Sequence, residues 1–180
     1  METKNMAADE VIKKMITGLN RLPTENRTLL RRNAGRPWER VPVDVKIVFW
    51  TLFSEDEERL IRRMRKEPAM FTVASIACCQ DPGSGDIRFE KFLRNLYHDP
   101  TASCNQQRKI QNFIARPIIY SGVFLQELVQ FAKRAINEGY QLNIFALAHD
   151  MWFWGYNDGT RDKWGRTIAY RIDEDEGEES

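Results

Sequence analysis

Apolar residues recur along this chain at spacings of three and four, between polar stretches that collect Gly and Pro. That period belongs to helices with one buried face. It predicts helices over about 6–20, 24–34, 43–53, 55–66, 69–79, 87–97, 104–116, 121–137, 141–154 and 160–171. The breaks fall at Arg36-Pro37, Pro42, Pro68, the DPGSGD stretch from Asp81 to Asp86, Asp99-Pro100 and Gly139. No run alternates with period two. β-Branched residues gather at 41–53 and 70–77, which carry the most strand character of any segments. Local signals support several ends. Ser54 and Glu57 have the spacing of a capping box, and the acids Glu55 to Glu58 favour a helix N-terminus. Lys133 and Arg134 lie where cations favour a helix end, with Gly139 as a stop. The polar segment His98 to Asn105 reads as a boundary between bundles. The expected class is all-α, with about nine to ten helices in two small bundles, residues 1–97 and 104–172, followed by an acidic tail over 173–180.

Composition narrows the class. A chain of 180 residues with 42% hydrophobic content, 10 Phe, 5 Tyr and 5 Trp can bury a core without disulfides or metal. Mean hydropathy is −0.54. The longest uncharged apolar stretch, Ala69 to Cys79, is far shorter than the ~20 residues of a membrane span. Met1 to Glu10 contains no apolar signal-peptide core. Cys78, Cys79 and Cys104 are an odd number with no CxxC, and read as buried free thiols of a reducing compartment. Cytoplasmic placement and no membrane contact are therefore expected. No cofactor is implied, and two histidines are too few for a zinc site of familiar spacing.

The net charge of +1 hides an asymmetry. The tail DEDEGEES holds six acids and no base, so the first 172 residues carry +7. Helical projection concentrates that charge. Arg59, Arg62, Arg63 and Lys66 share one arc of helix 55–66, apart from Leu60, Ile61 and Met64. Arg108, Lys109, Asn112 and Arg116 share an arc of helix 104–116, opposite Ile110, Phe113 and Ile114. Arg27 and Arg31 sit one turn apart with Arg32 beside them. Such faces suit phosphate, because each contact releases condensed counterions and the arginine fork grips phosphate oxygens in pairs. A solvated polar face has the same pattern.

Candidate catalytic chemistry is sparse. His149-Asp150 is the dipeptide of metal phosphohydrolases, but the remaining histidine, His98, cannot complete that ligand set. His149 reads as a partly buried helix residue with one hydrogen bond. The DPGSGD stretch lacks the Gly-Lys-Ser/Thr ending of a phosphate loop and reads as a turn. Asp158 and Asp162 fit the start of a helix better than an acid–base pair. Trp152 and Trp164 read as core, while Trp154 and Tyr156, near a helix end, are the aromatics left for exposure or base stacking.

The order of motifs adds a resemblance. RTLLRRNAGR (Arg27–Arg36), FEKFLRNL (Phe89–Leu96), QRKIQNFIAR (Gln107–Arg116), FLQELVQFAKRA (Phe124–Ala135), FALAHDMWFW (Phe145–Trp154) and KWGRTIAY (Lys163–Tyr170) follow one another along the chain. This series resembles the CasB-type small subunit of the type I-E CRISPR surveillance complex, Cascade. The resemblance implies an all-α fold of two bundles and no enzymatic activity. It also implies two copies beside the backbone and large subunits, with basic faces along guide RNA and target DNA. Those faces would steady the guide–target hybrid or the displaced strand during R-loop formation. By position, Arg27, Arg31 and Arg32 match the family's first Arg-rich segment. Arg108, Lys109 and Arg116 match its second basic segment, and Lys133 and Arg134 the lysine after Leu-x-x-Leu-Val. The cluster Arg59, Arg62, Arg63 and Lys66 is nominated from the residues alone. A helical protein–protein adaptor, its basic faces meeting acidic proteins, is the alternative.

Overall fold

The computed structural model describes residues 2–82, 85–116, 122–155 and 159–170. Among them are ten α-helices: α1 (Glu2–Arg21), α2 (Thr24–Arg32), α3 (Val43–Trp50), α4 (Glu55–Arg63), α5 (Glu67–Ala77), α6 (Phe89–His98), α7 (Cys104–Ala115), α8 (Gly122–Asn137), α9 (Ile144–Phe153) and α10 (Gly159–Ala169). A single 3₁₀ turn spans Trp38–Arg40. The described residues form no strand; Ile87 and Leu142 make an isolated parallel bridge.

The two β-branched segments are helical because of where they lie. α5 is buried at every position from Ala69 to Ile76. It is the central helix, packed by α1, α2, α8 and α9. A helix enclosed on all sides is apolar all round and loses its amphipathic signature. Pro68 lies in its first turn, where a missing N–H costs nothing. α3 buries Val45, Val48 and Phe49. Phe49 contacts Trp38, Trp50, Phe53 and Phe71 edge-on or tilted, with centroids 4.9–5.7 Å apart.

A second aromatic group joins α6, α7, α8 and α10. Phe113 stacks on Phe124 at 4.7 Å, and Trp164 meets Trp154 at 4.9 Å and Phe89 at 5.4 Å. The core is continuous between the two groups. Helix α6 packs on α10, α7 and α8, and α9 packs on α5 and α1, so contacts run across segment 98–103. That segment is a bonded turn. Gln106 and Gln107 donate back to the Leu96 and Tyr97 carbonyls at 3.2 and 3.0 Å, and the Ser103 hydroxyl accepts from the Gln106 N–H.

Helices α6 and α9 begin two to three residues later than the periodicity predicts. The reason is the Ile87–Leu142 bridge. Gln80 fastens it from beneath, its side chain bonding both the N–H and the carbonyl of Leu142 at 3.0 Å. Gly85 belongs to the same seam, because a Cβ there would run into the Gln141 carbonyl.

Buried acids knit the second group together. Asp150 of α9 accepts from the Trp164 indole at 2.8 Å and from Lys163 at 3.1 Å. Glu90 of α6 accepts from Arg88 at 2.7 Å and lies 3.6 Å from Lys163. Burial pulls the Asp150 pKa upward, but His149, Trp164 and Lys163 outweigh it and hold the carboxylate ionised. His149 is half-buried against Phe153 at 4.7 Å and lies 3.8 Å from Asp9 of α1.

Candidate nucleic-acid interface

The basic residues of α2, α7 and α8 are brought side by side by the packing of α8. On one flank α8 meets the turn after α2, where the Cβ position of Gly35 lies 3.6 Å from Val129. On the other flank it meets α7, whose Lys109 donates to Gln130 at 3.3 Å and lies 5.5 Å from the Phe131 ring. These contacts set the cations of α2 and α7 on the two flanks of α8, in the order of a band α2–α8–α7.

At its α2 end, Arg27 and Arg31 border a cleft of about 220 Å³ that is also lined by Thr24, Thr28, Cys79, Gln80 and the acid Asp81. Arg27 has a structural task there. Its guanidinium donates to the carbonyls of Leu19 at 2.9 Å, Gln80 at 3.1 Å and Ala77 at 3.4 Å. It thereby binds the carbonyl ends of α1 and α5, where positive charge is favoured. Arg31 and Arg32 are exposed. Lys133 of α8 is exposed as well. Burial raises the Cys79 pKa, and the charges of Lys133 and Arg31 both oppose that rise. Burial pushes Cys78 up to about 11 despite Arg27 and Arg31. Cys78 is buried and Cys79 half-buried, but Cys104 is exposed, against the expectation of three buried thiols. It opens α7 on the solvent side.

Lys133 and Arg134 stand in the last turns of α8, which Gly139 ends at φ +89°. The Tyr140 N–H returns to the Ala135 carbonyl at 3.0 Å. Arg134 is paired with Glu138 at 2.7 Å. On α7, the arc read from the sequence divides. Arg108 is exposed, Lys109 leans onto α8, and Arg116 is neutralised by Glu127 at 2.6 Å. The Arg116 carbonyl accepts from the Trp154 indole at 3.2 Å. Trp154 is accordingly only 2% exposed, so it fills the core with Trp152 and Trp164 and offers no stacking face. Tyr156, Asp158 and the acidic tail lie outside the described residues.

The α4 cluster is the most altered. Arg59 pairs with Glu55 at 3.3 Å and Asp56 at 3.5 Å, and Arg62 pairs with Glu58 at 2.6 Å and covers the Trp50 ring. Arg63 is exposed. The helix stops at Arg63, short of the predicted 66, because Arg65 takes a left-handed φ of 53°. The Lys66 N–H then returns to the Ile61 carbonyl at 2.9 Å, and the chain turns inward. Lys66 is 3% exposed and leaves the arc assigned to it. The capping box at the other end of α4 is formed, with Glu57 accepting from the Ser54 N–H at 2.7 Å.

No protein-family model matches this sequence, and no curated protein matches it significantly. Solved structures with this arrangement of helices do exist. They belong to the class of CRISPR proteins: a chain of a "CRISPR RNA-guided surveillance complex" matches with a TM-score of 0.59 at 15% identity, over 91% of this chain and 94% of that one. CasB from Thermobifida fusca matches with a TM-score of 0.55 at 14% identity, over 92% of this chain and 97% of that one. The chain has the CasB fold, the fold implied by its motif order.

Proposed function

We propose that this protein is a non-catalytic small subunit of a type I-E CRISPR surveillance complex. It binds the nucleic-acid backbone with the α2–α8–α7 band and steadies the guide–target hybrid or the displaced strand. The observation that carries this reading is the packing of the turn after α2 on α8, the Gly35 Cβ position lying 3.6 Å from Val129, which brings the exposed Arg31 and Lys133, 102 positions apart in sequence, to neighbouring elements. The likeness of fold to CasB supports it. Arg31, Arg32, Lys133 and Arg108 supply the main phosphate contacts, Lys109 and the Glu138-paired Arg134 contribute less, and Arg63 is a further exposed cation on α4. Little base reading is involved, because phosphate contacts carry no sequence information. R-loop exchange is close to balanced, so a few backbone contacts shift it. In the particle the subunit would sit in the cytoplasm beside backbone and large subunits and a second copy of itself.

The test is the double reversal Arg31→Glu/Lys133→Glu in the full chain. Affinity for a labelled RNA–DNA hybrid and for single-stranded DNA would be followed by anisotropy at several salt concentrations. Removing two phosphate contacts is expected to reduce the slope of log K against log salt by about 1.4–1.8. An unchanged slope overturns the assignment. Partner proteins retained by that variant after nuclease treatment would favour the adaptor reading instead.

A further inference from the structure

The described residues run out at Tyr170, at a corner where three helices meet. The Ile168 carbonyl of α10 accepts from the His98 ring at 2.8 Å, and His98 closes α6. Gln106 and Gln107, in the first turn of α7, bond the Leu96 and Tyr97 carbonyls of α6. The last turn of α10 therefore delivers the chain beside the start of α7. The next residues, 171–180, read RIDEDEGEES, with six acids and one base. The cations of α7 lack what the other arginines have. α4 opens on four acids, and Glu55, Asp56 and Glu58 hold its own Arg59 and Arg62. Arg116 has Glu127, and Arg134 has Glu138. α7 carries no acid at any position, although the first turn of a helix favours one. Arg108 and Lys109 are both exposed, and no described carboxylate pairs with either. Asp99, the acid of the corner, is bonded to the Thr101 N–H and hydroxyl at 2.7 Å.

We propose that the acids of segment 173–179 lie along Arg108 and Lys109 in the free subunit and cover the α7 end of the basic band until a nucleic acid displaces them. The proposal rests on the nucleic-acid reading above and deepens it by adding its control. Reach permits the contact. An extended chain advances about 3.3–3.6 Å per residue, so Asp173 to Glu176 stand within about 10–20 Å of Tyr170. Arg108 lies one helical turn, about 5.4 Å, beyond the first residue of α7. A run of carboxylates offers these cations the same charge as a phosphate strand and competes for them. Exposed ion pairs are individually weak, so a strand can displace the cover. Arg31, Arg32 and Lys133, on α2 and α8, stay open and meet the strand first.

The experiment neutralises the segment in place, with Asp173→Asn, Glu174→Gln, Asp175→Asn, Glu176→Gln, Glu178→Gln and Glu179→Gln. This is done in the wild-type chain and in Arg108→Gln/Lys109→Gln. One readout is affinity for labelled single-stranded DNA, by anisotropy at low salt. The other needs no nucleic acid. It is the rate at which an uncharged maleimide labels Cys104, an exposed thiol one turn before Arg108 on the same face of α7, followed by peptide mass. Neutralisation is expected to raise DNA affinity about three- to tenfold, the worth of two exposed ion pairs, and to speed Cys104 labelling by a similar factor. Both effects should vanish in Arg108→Gln/Lys109→Gln. A gain in affinity of equal size in both backgrounds is general charge repulsion and overturns the contact. Unchanged Cys104 labelling overturns it as well and leaves the basic band standing. Faster labelling in chains that bind no DNA is a failure of the nucleic-acid reading itself, and the gate falls with it.

Discussion

Lys66 offers the sharpest quantitative test of how the structure reassigns a basic residue. Burial lowers its pKa from 10.5 to about 8. At about 1.4 kcal/mol per pH unit, that difference costs the folded state on the order of 3 kcal/mol wherever both folded and unfolded lysines are charged, below pH 8. Between pH 8 and 10.5 the unfolded chain binds more protons than the folded one, so this penalty fades as pH rises. Lys66→Met keeps the length of the stem and removes the charge. The variant is expected to exceed wild type in stability by up to about 3 kcal/mol at pH 7, less whatever contacts the ammonium makes. The gap should shrink by about 1 kcal/mol at pH 9 and by about 2 kcal/mol at pH 10. Cys78 works the other way above pH 9, where its raised thiol pKa removes stability, but both proteins carry it and the difference cancels. Urea denaturation of the pair at pH 7, 8, 9 and 10 measures the gap. A gap independent of pH would refute the burial argument, and a less stable variant at pH 7 would show that the lysine's contacts outweigh its desolvation.

Two further predictions follow from the same surface. Arg27→Ala should destabilise the chain by about 2–3 kcal/mol, because charge-assisted bonds to the carbonyls of Leu19, Gln80 and Ala77 are lost. Unchanged stability with weakened nucleic-acid binding would instead make Arg27 a phosphate ligand. Thiol labelling in the native state should run in the order Cys104, Cys79, Cys78, following exposed, half-buried and buried positions. Cys78 should react on the timescale of unfolding, and fast labelling of Cys78 would contradict the packing of α5.

Most of the helical frame was legible because period and caps agree. Ser54 with Glu57 marks the start of α4, and Gly139 marks the end of α8, each for a local reason that survives folding. Local reasoning failed where another segment intervenes. Nothing near Ile87 or Leu142 announces their pairing, since the Gln80 that holds it is 62 residues from Leu142. Trp154 looks like a free end of α9 until the carbonyl of Arg116, 38 residues earlier, claims its indole. The α4 arc failed for a subtler reason. A helical projection assumes the helix continues, and a left-handed Arg65, without the usual Gly, ended it three residues early.

The candidate interface divides along the same line. Residue type and spacing point to arginines, but not to which of them already serve a partner within the chain. Arg27 is held by three carbonyls, Arg116 by Glu127, and Arg59 and Arg62 by acids one turn away. A paired arginine must break a bond to meet a phosphate, so its net contribution is small, whereas an exposed one gains the full counterion release. The structure thus ranks a set the sequence leaves flat. Arg31, Arg32, Lys133 and Arg108 stand first and Arg116 low. Lys66 falls outside, because its charge is already costly where it stands. Reversals taken in that order should show a graded loss of salt dependence, steepest for the exposed cations of α2 and α8.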